Sequence, residues 1–72
     1  MGYVSKRADR RMTANLWRML DERGWSNAEL ARRSGIASSH VSMILANRNG
    51  VTLRTARAFR DALGCTWDEL LE

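Results

Sequence analysis

The side chains with the most chemistry to offer lie together in one stretch, SSHVSMIL, residues 38–45. Ser38, Ser39 and Ser42 bring hydroxyls that donate and accept, His40 an imidazole, and Met43 an apolar thioether. Val41, Ile44 and Leu45 recur at the helical repeat of about 3.6 residues, so a helix here turns them inward and leaves Ser38, Ser39, Ser42 and Met43 outward. A solvated helix face normally carries glutamate and lysine. This one holds small polar or flexible groups and no acid, as a helix meant to lie against another surface would. Its chemistry is recognition by hydrogen bond and contact, with no bond made or broken.

Bond-making chemistry has no comparable set. His40 is the one histidine and has no cysteine or aspartate near it in triad fashion, and no glycine loop is built to cradle phosphate. Asp21-Glu22 and Asp68-Glu69 are adjacent on expected helices, where neighbours diverge by about 100° and cannot converge on a substrate. Cys65, the one cysteine, can form no internal disulfide and offers no metal cluster. It is expected to be a small buried hydrophobe. The chain therefore reads as a non-enzyme, with no catalytic residue, metal ligand or cofactor.

The elements that must position residues 38–45 can be read outward from them. Ser26-Asn27-Ala28-Glu29 has the form of a capping box, Ser26 accepting from the Glu29 backbone N–H and Glu29 reaching back, and opens a helix over about 27–34. Gly35 ends it, Ile36 plugs the core, and the next helix runs from about Ser38 to Ala46. Two short helices joined by a tight turn are the sequence form of a helix-turn-helix, whose second helix enters the DNA major groove.

Upstream, a first helix starts between Asp9 and Thr13 and ends at Arg23, with Met12, Leu16, Met19, Leu20 and Arg23 on one stripe and Gly24 as its left-handed cap. Trp25 is expected to pack under the second helix, and Trp17 to be partly buried at the edge of the stripe. Downstream, Asn47-Arg48-Asn49-Gly50 is turn chemistry. Thr52 caps a fourth helix over about 53–63, with Leu53, Ala56, Phe59 and Leu63 inward, Arg54, Arg57 and Arg60 outward, and Arg57 spaced to pair with Asp61. Gly64 stops that helix. Thr66 and Glu69 form a second capping box opening a short last helix over 67–71, whose Trp67, Leu70 and Leu71 close the core. The fold class is all-α, a compact five-helix bundle with a central helix-turn-helix.

Seventy-two residues bound this to one domain with a small core. We expect a basic N-terminal arm over residues 1–8 and a globular domain over 9–72, with no effector domain and no long C-terminal extension. Twelve lysines and arginines against eight acids leave a net charge of +4, which favours a polyanionic partner. Lys6, Arg7, Arg10 and Arg11 crowd the start, where an arm could lie on DNA phosphates or reach a minor groove. No apolar run approaches the roughly 18 residues of a membrane span, and no signal-peptide core is present. The expected setting is the cytoplasm, at the nucleoid, with no membrane partner.

The segments WSNAELARRSGIASSHVSMI and RTARAFRDALGCTWDELL, covering about Leu16 to Leu71, resemble the Cro/repressor class of helix-turn-helix proteins, the xenobiotic-response-element family. The resemblance implies the lambda-repressor-like bundle, with the third helix as the recognition helix. Ser38 and Ser39 match leading base-contact positions, Met43 a third one turn on, and Ser42 lies beside them. Asn27 matches a position that clamps a phosphate at the start of the second helix. The loop after the recognition helix implies phosphate contacts at Arg48 and the Asn49 amide. Arg10 and Arg11 belong with the phosphate contacts as the near end of the basic arm, and His40 is placed with them, able equally to bond a base edge or face water. Serine hydroxyls tolerate several bases, Met43 suits a thymine methyl, and no arginine stands on this face to grip guanine. Specificity would then be spread over weak contacts, DNA shape and dimer spacing.

Three departures from the family pattern stand out. Ala37 occupies the usual serine or threonine N-cap of the recognition helix, a loss of about 1 kcal/mol unless Ser38 or Ser39 takes over and shifts the register. Leu20 and Leu45 occupy the positions of a semi-buried arginine–glutamate pair, and an apolar contact is expected to replace it. With neither an effector domain nor a long C-terminal extension expected, self-association would have to use the last two helices or the arm, with Trp67, Leu71 and the exposed edge of the fourth helix as candidates. The function expected is a sequence-specific transcriptional repressor, of phage repressor/Cro or antitoxin type, bound to double-stranded DNA as a homodimer on a palindromic operator. The alternative is an interaction module, or an antitoxin, that keeps the fold and chiefly binds a toxin or other protein partner.

Overall fold

The computed structural model describes the backbone of residues 6–48 and 50–72, and side chains from Arg10 onward within those ranges. Five helices follow in order: α1 (Lys6–Arg23), α2 (Asn27–Ser34), α3 (Ser38–Leu45), α4 (Leu53–Leu63) and α5 (Trp67–Leu71). Local signals set most of these bounds. Ser26, Thr52 and Thr66 each accept a hydrogen bond from the backbone N–H three residues on, satisfying one otherwise orphaned donor at the start of α2, α4 and α5. At the other ends, Gly35 and Gly64 adopt the left-handed conformation with φ of 75° and 64°, which costs glycine least. Asn47 does the same after α3 with φ of 58°, and the Arg48 N–H returns to the Met43 carbonyl at 2.9 Å.

The core is apolar and draws on every helix. Met12 and Leu16 of α1, Leu30 of α2, Val41 and Ile44 of α3, Phe59 of α4 and Leu70 of α5 are all essentially sealed from solvent. Leu20 and Leu45, the positions expected to exchange an ion pair for an apolar contact, are both buried members of this cluster. Ile36, Trp25, Trp67 and Leu71 are half-buried and pack against it. Packing pairs α1 with α5, α2 with both α3 and α4, and α1 with α3. Two polar ties reinforce the frame: Asn15 Nδ2 donates to the Leu70 carbonyl at 2.8 Å, and Arg23 to the Leu63 carbonyl at 2.9 Å.

Several expectations need correction. α1 begins at Lys6, ahead of the Asp9–Thr13 window, so residues 6–8 of the expected arm are helical while residues 1–5 lie outside the described residues. Leu53 points outward and is 46% exposed; Val51 takes the core position instead, at 1%. The reason is the extended backbone of Thr52, which turns the chain so that the residue before the cap, not the one after it, faces inward. Trp17, expected to be partly buried, is 51% exposed. Arg23 is exposed and spends its guanidinium on the Met19 and Leu63 carbonyls rather than joining the apolar stripe.

Two pairings also differ. Asp61 bonds Arg60 at 2.8 Å, not Arg57. Glu29 does not reach back to complete the capping box, because Arg32 and Arg33 hold its carboxylate. Hydrogen bonds from Arg32 first and Arg33 second keep that carboxyl below its ordinary range. The second box is complete, with Glu69 accepting from the Thr66 N–H at 2.8 Å.

Candidate nucleic-acid interface

The helix bearing the expected base-contact residues starts at Ser38, so the register is the one its apolar repeat dictates. Ser38, Ser39 and Ser42 are exposed, Met43 is 42% exposed, and Val41, Ile44 and Leu45 are buried beneath them. Ala37 precedes the helix with no side-chain cap, and neither Ser38 nor Ser39 takes over that role. The backbone N–H groups of its first turn therefore look outward without a side-chain partner at the cap.

What the N-terminus of α3 lacks, its C-terminus receives from α1. The Trp17 indole N–H donates to the Leu45 carbonyl at 3.2 Å, and the buried Thr13 hydroxyl faces the Ile44 carbonyl at 3.5 Å. The last carbonyls of a helix lack their usual intrahelical partners, and the indole satisfies that of Leu45, while the Ile44 carbonyl also accepts from the Asn47 N–H at 3.0 Å. Thr13 and Trp17 are one turn apart on α1. Reading the sequence missed both, because their partners lie 31 and 28 residues away. Their i,i+4 spacing beside the apolar stripe was the only available signal.

The expected phosphate contacts are spread over three elements. Asn27 is half-buried at the first position of α2, His40 is half-buried on α3, and Arg48 is exposed in the turn that follows. Arg10 and Arg11 are exposed near the start of α1, and Asn49 lies outside the described residues. Arg32 and Arg33, by contrast, are committed within α2: both pair with Glu29, and the Arg33 guanidinium stands 4.3 Å from the centre of the Trp25 ring. Cys65 is half-buried rather than buried, and desolvation pushes its thiol up, away from the reactive thiolate. Among the described residues there is no group of three acids, histidines or cysteines placed to hold a metal ion. No helix among them is long and apolar enough to cross a membrane.

A helix-turn-helix with an exposed second helix defines a DNA-binding class of domain. Residues 15–72 match the family model of the Cro/C1-type HTH DNA-binding domain, and the chain belongs to that family. No curated protein and no solved structure gives a significant match.

Proposed function

We propose that this DNA-binding domain acts as a small sequence-specific repressor, occupying an operator and excluding other proteins from it. The reading places Ser38, Ser39, Ser42 and Met43 against base edges in the major groove. Asn27, His40, Arg48, Asn49, Arg10 and Arg11 hold the phosphates. Two copies on a palindromic site would set their recognition helices about 34 Å apart. The act calls for no cofactor and no catalysis, and belongs at the nucleoid in the cytoplasm. Phage repressors and antitoxins both use operator occupation of this kind.

One observation supports the reading above the rest: the hydroxyl-lined side of α3 is uncovered by its own chain. Each phosphate neutralised should add about −0.9 to the slope of log affinity against log salt. Selection of bound sites from a random DNA pool, with a solution mass measured on the same material, tests the proposal. A palindromic site and a dimeric mass are expected. Absence of any binding at about 50 mM salt would remove it, since even non-specific phosphate contact is strong there. On the selected site, Ser39→Ala should change base preference, whereas Arg48→Ala should weaken all sequences alike.

A further inference from the structure

A groove of about 450 Å³ runs between α4 and α5, lined by Leu53, Arg54, Arg57, Arg60 and Trp67. We propose that it docks an acidic amphipathic segment of a partner protein, with carboxylates on Arg54 and Arg57 and an apolar side chain between Leu53 and Trp67. This surface is separate from the face of α3 assigned to DNA, and the inference does not depend on that assignment.

The groove joins two features that water alone does not favour together. Its floor includes Leu53, 46% exposed, one of three large hydrophobic side chains left open among the described residues. The half-buried Trp67 ring lines the groove as well, with the Arg60 guanidinium 4.7 Å from the ring centre. Arg60 is satisfied inside the chain, since it also bonds Asp61, and so forms a fixed wall. Arg54 and Arg57 differ from it. Both are exposed, one turn apart, and among the described residues no acid lies within ion-pair distance of either.

These features select the occupant. Leu53 and Arg60 are about 10 Å apart along α4, room for one or two apolar side chains of a bound helix or strand. A second copy meeting this face about a two-fold axis would set Arg54 and Arg57 against their own counterparts, and like charges across an interface are repelled. A DNA backbone would answer the arginines but leave the leucine and tryptophan unfilled, because phosphate contacts carry no apolar group. A segment with glutamates or aspartates flanking a leucine or aromatic residue answers both.

The test uses the full ¹⁵N-labelled chain and a synthetic amphipathic peptide with glutamates at one-turn spacing around leucines. The control is the same peptide with glutamine at every glutamate. In low salt, the acidic peptide should shift the Leu53 and Arg57 amides and the Trp67 indole N–H. The glutamine peptide should bind about tenfold more weakly, as should the acidic peptide to the R54E/R57E double variant. That variant should keep its melting temperature and its DNA affinity. Equal binding of the two peptides, or shifts centred on residues 38–43, would overturn the proposal. A solution mass that falls with Leu53→Ser would assign the groove to a second copy and overturn it. Weaker binding of R54E/R57E to all DNA sequences would give these arginines to phosphates, with the same consequence.

Discussion

α3 and α4 are neighbours in the chain, and each takes a donor from α1 on its last carbonyl, Trp17 on Leu45 and Arg23 on Leu63, but they begin by different means. α4 carries its own boundary signals, a Thr52 hydroxyl at one end and Gly64 at the other, and shows a charged outer row of arginines. α3 has no side-chain cap at Ala37 and no charge in either end turn, and beyond the local Asn47 turn at its end it relies on the Trp17 indole of α1. A helix bound by local hydrogen bonds can be placed by its own few residues. One bound through a distant donor is placed by the assembled bundle. A surface that docks on another molecule must be presented at a set angle rather than simply be helical, and α3, with no side-chain cap at Ala37, leans more on the rest of the domain for that angle.

The comparison can be broken most severely at the core that both helices share. Phe59→Ala empties a fully buried ring site on α4, and should remove about 3–5 kcal/mol of a total stability near 4–11 kcal/mol. Thermal melting should show α3 and α4 lost together. A variant that kept α4 while losing α3 would show the two to be separately stable.

Next come paired tests of the anchors. Thr52→Ala and Trp17→Phe each remove one hydrogen bond and should cost about 1 kcal/mol. They should separate on DNA: Trp17→Phe frees the far end of α3 and weakens operator binding, while Thr52→Ala leaves binding nearly unchanged at a temperature where both are folded. Equal effects on affinity would mean that the indole anchors nothing specific to α3.

A smaller change sharpens the contrast from the other side. Ala37→Ser restores a cap to α3 and should add about 0.5–1 kcal/mol in a denaturant titration. The smallest effect is expected at Glu29, on the exposed side of α2. Its carboxyl titrates below 4.5 because Arg32 and Arg33 bond it, so the stabilisation is present above pH 4.5 and fades as pH falls through its lowered value. Melting followed from pH 6 to pH 3 should show that component vanish in Glu29→Gln.

Much of the bundle was legible because its punctuation is local. The ends of α2, α4 and α5 follow from Ser26, Gly35, Thr52, Gly64 and Thr66, each of which makes its bond within a few residues. The start of α1 was not: the apolar repeat begins only at Met12, while the helix already runs from Lys6. The inward assignment of Leu53 failed for a related reason: periodicity counts positions along a helix but does not say whether the residue before the cap also turns in, as Val51 does. The outward face of α3 was readable from its apolar repeat. Arg57 was misread because its possible partner, Asp61, pairs with its chain neighbour Arg60 instead.

By itself, then, the order of residues determined five helices, the side of each that is apolar, and the uncharged character of the surface at Ser38, Ser39, Ser42 and Met43. Those properties depend on contacts within a turn or two, where spacing is information enough. The tertiary structure alone decided that α1 would hold the end of α3 through Trp17, and that Leu53 and Trp67 would line one groove with three arginines. Both join groups far apart in the chain, and their distances exist only after the core has closed.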